Sequence, residues 1–230
     1  MIPDPAYLRD LPVPTQEDMQ RALDRSRQQF GHLMKHSLPV THAYAGIGTR
    51  EVTEAEQATI IRTAGMLADQ GWVCYSGNAS GADQAFQRGS NGRCVLWLPW
   101  PRFEEVSYPH NQALATVVCG DSPAGNHWTM LCHPAWGSLS RGGLALINRD
   151  AHQVIGNSTN DPTMRLQGVP FYPMVSFVLC CATPKGTQGD VQGGTGQAVR
   201  IARCLKIPVV NIREPCWQEK LYTALRGAGV

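Results

Sequence analysis

The sequence predicts an α/β protein, a three-layer sandwich on a mainly parallel sheet of about five or more strands, with an N-terminal helical extension. Three observations predict it. RCVLWLPW (93–100), VSFVLCCA (175–182) and IPVVNI (207–212) have strand length, and VSFVLCCA is the continuous apolar run of a strand buried on both faces. Segments with helical periodicity separate such runs. Several strand-to-helix connections are glycine-rich, and strands alternating with helices imply right-handed crossovers and helices on both sheet faces.

The elements follow in order. Residues 1–14 hold four prolines and read as irregular. From Thr15 the recurrence of Met19, Leu23, Phe30, Leu33 and Met34 predicts a helix that ends before Pro39, with an apolar stripe for core packing or for a dimer arm. Residues 1–40 are thus read as an extension and 41–230 as one domain. THAYAGIGTR (41–50) is a strand running into glycines, and Thr53 with Glu56 forms a capping box for a helix through Ala68. GWVCYSG (71–77) is a second strand, 82–88 a helix, and 93–100 a third strand stopped by Pro99 and Pro101. Residues 107–118 read as a helix, 120–137 as a long loop, and 139–156 as a helix ending at glycine. The strand at 175–182, the helix after GGTG, the strand at 207–212 and a short terminal helix complete the chain.

Bulk properties narrow the function. A chain of 230 residues, 43% hydrophobic, supports one sizeable core. A net charge of +2 and a pI near 8.1 do not suit a dedicated duplex-DNA binder, which clusters Lys and Arg. Five of the eight cysteines, Cys74, Cys94, Cys119, Cys180 and Cys181, lie in apolar runs, and no CxxC pair occurs. They read as buried thiols of a reducing cytoplasm. With no basic-then-apolar leader and no run of about 18 apolar residues, neither export nor a membrane span is expected.

Three turns carry the chemistry. The first is Gly46-Ile47-Gly48-Thr49-Arg50, a GxG with Glu51 where a dinucleotide fingerprint has its third glycine. The second runs from Ser76 to Asp83 through Gly77, Asn78 and Gly81; the third is Gly193-Gly194-Thr195-Gly196. Small residues before a helix let backbone N–H groups and the positive end of the helix dipole meet a phosphate. Each turn also has a plain reading as a tight connection. No GxxxxGK[ST] and no HExxH occur, Ser76 lies in SGN rather than GxSxG, and His32 with His36 lacks a third ligand. Neither metal nor cofactor is expected.

GIGTR, SGNASGADQAF and GGTGQAVRIARCLKIPVVNI, in that order, resemble the SLOG superfamily, the Rossmann-like group that holds DprA/Smf proteins and Lonely Guy (LOG) phosphoribohydrolases. LWLPWPRF and INRDAHQVIG resemble a phage-encoded DprA-like branch of it. The resemblance covers about residues 41–213. It implies a nucleotide-derived ligand across the turns, lined by Gly46, Gly48, Thr49 and Arg50, then Ser76, Gly77, Asn78, Gly81 and Asp83. Gly193, Gly194, Thr195, Gly196 and Gln197 would cradle a phosphate. Asp83 would accept ribose hydroxyls or cap its helix, and Arg50 would meet phosphate or stay solvated.

LOG hydrolases carry PGGxGTxxE. Here Gln192 replaces the proline, Gln197 the threonine and Arg200 the glutamate, so a permanent cation stands where a carboxylate would assist glycosidic cleavage. Arg200 suits a second phosphate or a salt bridge; Asp83, Asp150 and Asp190 remain as candidate acids. The leading expectation is therefore a holder of a small phosphorylated nucleotide derivative, without catalytic residues. In a phage setting it would sequester a host antiphage signal, a cyclic nucleotide or an ADP-ribose derivative, in the host cytoplasm. His127, Trp128, His133 and Trp136 would stack over a base or pack on the core. A nucleotide hydrolase is the alternative. DprA-like single-stranded DNA binding, through Arg141, Arg149, Arg165, Arg200 and Arg203, is the second. The resemblance also implies a homo-oligomer.

Overall fold

The computed structural model describes residues 40–105, 110–157, 164, 169–186 and 189–229. The helix predicted from Thr15 and the extension as a whole lie outside them. Fourteen regular strands and helices follow in order. They are β1 (Ala43–Gly48), α1 (Glu54–Asp69), β2 (Val73–Ser76), α2 (Ala82–Gly89), β3 (Cys94–Leu98), β4 (Ala115–Val118), α3 (Pro123–Cys132), α4 (Arg141–Ile155), β5 (Phe177–Cys181), β6 (Pro184–Lys185), β7 (Asp190–Val191), α5 (Thr195–Cys204), β8 (Val209–Asn211) and α6 (Trp217–Gly227).

Six strands form one sheet in the order β4-β3-β2-β1-β5-β8, and every neighbouring pair is parallel. The α/β class predicted from the sequence is therefore the fold observed. Period-two alternation sorts the side chains. Ala43, Ala45, Ile47, Val73, Tyr75, Val95 and Trp97 face one core with residues of α4 and α5. Tyr44, Cys74, Cys94, Leu96, Leu98, Phe177 and Leu179 face the other with α1, α2 and α6. Burial on both faces explains why these strands read as continuous apolar runs. All eight cysteines are free thiols, and the five named from the sequence are buried. Among the described residues no helix is long and apolar enough to cross a membrane.

The chain turns back across the sheet between β1 and β5. In open parallel sheets this switch point opens a crevice at the carboxyl ends of the strands. Gly48 ends β1 against Cys181 of β5, and the Thr49 N–H donates to the Cys181 carbonyl at 2.8 Å.

Two element expectations are corrected. Residues 107–118 do not form one helix: 110–112 make a single 3-10 turn and Ala115–Val118 is the edge strand β4, paired in parallel with β3. Ala115 and Val117 alternate into the core, so pairing with β3 overrides the weak helical pattern. Residues 120–137 are not a long loop, because Pro123–Cys132 is helix α3. Ser122 caps it by accepting from the Gly125 N–H, and proline occupies the first turn, where its missing N–H costs nothing. The small antiparallel pair β6–β7 was not foreseen.

Candidate functional site

At the carboxyl edge the first two turns are largely closed on themselves. A methyl group on Gly46 would come within 2.7 Å of the Cys74 thiol and the Phe86 ring, and one on Gly48 would overlap the Cys181 carbonyl. Both glycines therefore serve close packing of backbone. The Thr49 carbonyl accepts from the Ala82 N–H at 3.0 Å, and Thr49 Oγ1 accepts from the Glu51 N–H at 3.1 Å. In the second turn Ser76 Oγ donates to the Gly46 carbonyl at 2.9 Å. Asn78, at φ 60°, donates from Nδ2 to the Phe103 carbonyl at 2.8 Å. Gly81 holds φ 89° against the backbone of Arg50.

Glu104, in the segment after β3, fills the anion position of the second turn. Its Oε2 accepts from the Ser80 N–H at 2.6 Å, and its Oε1 pairs with Arg50 Nη1 at 2.7 Å. Arg50 remains 57% exposed. The chain's own carboxylate thus occupies both a backbone donor and the cation that the sequence offered to a phosphate.

The third turn differs. Among the described residues the backbone N–H groups of Gly193, Gly194 and Thr195 have no acceptor, while the next two donate to the Gly193 and Gly194 carbonyls. No side chain caps α5. Gly193, at φ 74°, has nothing within 4 Å of the place where a side chain would start. This turn is exposed, and the free N–H groups sit at the positive end of a helix of 10 residues.

Beyond that turn the helix binds inward. Gln197 is buried and donates to the Trp128 carbonyl at 3.3 Å. Arg200 donates from Nε to the Cys132 carbonyl at 2.8 Å and pairs with Asp190 at 3.4 Å. The cation in the hydrolase glutamate's position is therefore tied to α3 and β7. Trp128 packs against the core, as does the helix that carries it.

A buried ionic cluster joins the turns. Asp83 of α2 accepts from the Gly48 N–H at 3.1 Å and the Gly77 N–H at 3.2 Å, so both its oxygens meet the protein's own donors. Arg149 of α4 lies 3.5 Å from Asp83 and 2.9 Å from Asp150, and donates to the Gly77 carbonyl. The Phe103 ring covers its guanidinium at 5.6 Å. Gln153, with its amide set to satisfy both ends, donates to Asp150 Oδ1 at 3.1 Å and accepts from the Gly77 N–H at 2.8 Å. Among the described residues Asp150 Oδ2 carries no such bond, and a methyl group built on Gly194 would stand 3.2 Å from it. The free oxygen of Asp150 therefore faces the open turn.

Burial dominates the electrostatics. It raises the Asp83 carboxyl above the usual carboxylate range, against the opposing pull of Arg149 and the backbone donors. It pushes Asp150 up to about 7, with Arg149 opposing and Asp83 adding to the rise. One guanidinium between two buried carboxyls cannot neutralise both, so a proton on Asp150 completes the charge balance near neutrality.

The sequence shows Arg149 and Asp150 only as charges, without their burial or their partners. Their signal was a charged pair inside INRDAHQVIG, a helix whose residues 147–155 are all buried. Of the five arginines named for single-stranded DNA binding, Arg149, Arg200 and Arg203 bond to acceptors within the protein, Arg141 is exposed, and Arg165 lies outside the described residues.

No family model matches the chain, and no curated protein matches it. Among solved structures, it is similar to DNA processing protein A from Helicobacter pylori, described with a unique single-stranded DNA binding mode. The identity is 16%, over 82% of this chain and 74% of that one, with a TM-score of 0.46. It is also similar to DprA from Streptococcus pneumoniae, at 10% identity over 81% of this chain and 56% of that one, with a TM-score of 0.44. At such identities the likeness is one of fold, and the chemistry rests on the residues above.

Proposed function

We propose that the protein binds a small phosphorylated nucleotide derivative at the carboxyl edge of the sheet, with a phosphate on the Gly193–Thr195 turn. The observation that carries this reading is the open turn itself: unpartnered N–H groups at a helix start, beside a buried carboxyl that faces them. Trp100, 41% exposed and packed edge-on to Phe103, offers an aromatic surface beside the cluster on which a base can stack. Holding rather than cleaving is supported by Arg200, which points into the α3 contact, and by Asp83, whose oxygens are already engaged. Sequestration of a signalling nucleotide, such as a cyclic nucleotide or an ADP-ribose derivative, is the biological form of this reading.

The test is equilibrium dialysis against ADP-ribose, cyclic dinucleotides and oligothymidylate, followed by heat denaturation and chromatography of what is released. Intact nucleotide in the released fraction is expected. Base plus ribose phosphate, or a linearised product, assigns the edge to a hydrolase. Retention of oligothymidylate alone, with a steep salt dependence, assigns it to single-stranded DNA.

A further inference from the structure

The open turn is unusual in what stands beneath it. Phosphate sites at helix starts gain from nearby cations, yet among the described residues the arginines around the cluster are committed: Arg149 to Asp83, Asp150 and Gly77, Arg200 to Asp190 and Cys132, Arg50 to Glu104. The group that does face the turn is a carboxyl. The Asp150 side chain is only 9% exposed, its Oδ1 is engaged by Arg149 and Gln153, and its Oδ2 is directed at Gly194. An ionised carboxylate there would repel any phosphate on the N–H groups, which supply only about half an elementary charge. A protonated one would donate a hydrogen bond to it.

We propose that Asp150 is the charge-selecting residue of this site, meeting a singly charged phosphate, a diester or pyrophosphate linkage, as a hydrogen-bond donor and disfavouring a dianionic monoester. The inference rests on the nucleotide-binding reading and deepens it. Its logic is a balance of charge. Once Asp150 ionises, its charge opposes a bound phosphate in proportion to the phosphate's own, so a dianionic monoester is repelled about twice as strongly as a singly charged linkage, and a neutral group at this position removes that penalty. The charged groups around Asp150 are Asp83 from α2 and Arg149 from its own helix, with the Asp190–Arg200 pair on the far side of Gly196 and the Glu104–Arg50 pair on the segment after β3. Asp83 and burial favour the proton on Asp150, and Arg149 opposes it. A bound phosphate adds a negative charge beside Oδ2 and retains that proton more firmly, so binding takes up a proton as the pH rises.

Calorimetric titration with ADP-ribose and with AMP, at pH 6 and pH 8.5, tests this on the wild type, Asp150→Asn and Gly194→Asp. ADP-ribose keeps a constant charge over this range, so a change in its affinity reports the protein. Wild-type affinity for ADP-ribose is expected to fall by about 30-fold between the two pH values, the factor for a group titrating near 7. Buffers of different ionisation enthalpy should show proton uptake at pH 8.5. Asp150→Asn keeps a neutral donor and should bind ADP-ribose at pH 8.5 as the wild type does at pH 6, while losing its preference over AMP. Gly194→Asp should bind neither. The wild-type proton uptake needs no variant, and a melting curve verifies that Asp150→Asn is folded. If ADP-ribose binds with no pH dependence and no proton uptake, or AMP binds as well as ADP-ribose at pH 8.5, the role of Asp150 is overturned while nucleotide binding stands. If neither nucleotide binds, or Gly194→Asp binds as the wild type does, the site reading falls with it.

Discussion

Gly77 shows how one residue decides the geometry of the edge. Its backbone supplies an N–H to Asp83 and a carbonyl to Arg149, and any side chain there would overlap the guanidinium. Gly77→Ala is therefore expected to push Arg149 out of the cluster and to destabilise the fold by about 2–4 kcal/mol, the range for overpacking and a displaced buried charge. Urea unfolding measures it, and a loss below 0.5 kcal/mol, about the size of a neutral surface change, would contradict the crowding. Arg149→Met removes the guanidinium that two buried carboxyls share. The loss should be about 3–5 kcal/mol at pH 8 and smaller at pH 5, where both carboxyls hold protons more readily. Equal losses at the two pH values would show that Arg149 acts by packing alone.

At the scale of elements, α1 is pinned at its start by two devices that share one carboxylate. Glu56 closes the capping box with Thr53, and it also meets Arg213, from the segment after β8, at 2.7 Å. The Arg213 hydrogen bond holds the Glu56 carboxyl down at about 2. A depressed folded-state value stabilises the protein above the ordinary range near 4.5 and ceases to do so as the pH falls through 2. Arg213→Met should accordingly lower the unfolding midpoint more at pH 7 than near pH 2, where only its bonds to Thr183 and the Glu51 carbonyl are lost, checked by thermal melts across that range. The helices also explain what pattern reading missed. α3 begins with Ser122-Pro123 and contains glycine at 125, residues that mark loops as often as helix starts. Its identity as a helix depends on packing against α4, where Thr129 donates to Asn148 at 2.7 Å. Strand β4 is four residues long, and only its ladder with β3 separates it from a turn.

For the whole molecule, the buried cluster links folding to pH in the opposite sense from Glu56. Asp150 sits near 7 in the folded chain against an ordinary value near 3.8. Stability from its neutral form is fully present below about pH 4 and is lost as the pH rises toward and through 7. Asp150→Asn should remove that decline, leaving a variant more stable than the wild type at pH 8 by on the order of 2–4 kcal/mol. A variant equally unstable at pH 8 would place the alkaline loss elsewhere. The same residue thus couples the open turn, the α4 core helix and the edge of the sheet, and the fold tolerates it because Arg149 and a proton share the compensation.

Periodicity and composition in the sequence alone determined the α/β class, the five buried cysteines, and the existence of the strands expected within 41–50, 71–77, 93–100, 175–182 and 207–212. The reason is local: a strand buried on both faces must be apolar throughout, and a helix start must declare its cap or its glycines. The turns were legible for the same reason. Their occupancy was not, because whether an N–H group is free depends on residues far away in the chain. Tertiary structure brought Glu104 onto Ser80 and Arg50, turned Arg200 toward Cys132, and set Asp150 under Gly194. Of three glycine turns with the same local chemistry, only packing decided that the Gly193–Thr195 turn stays open.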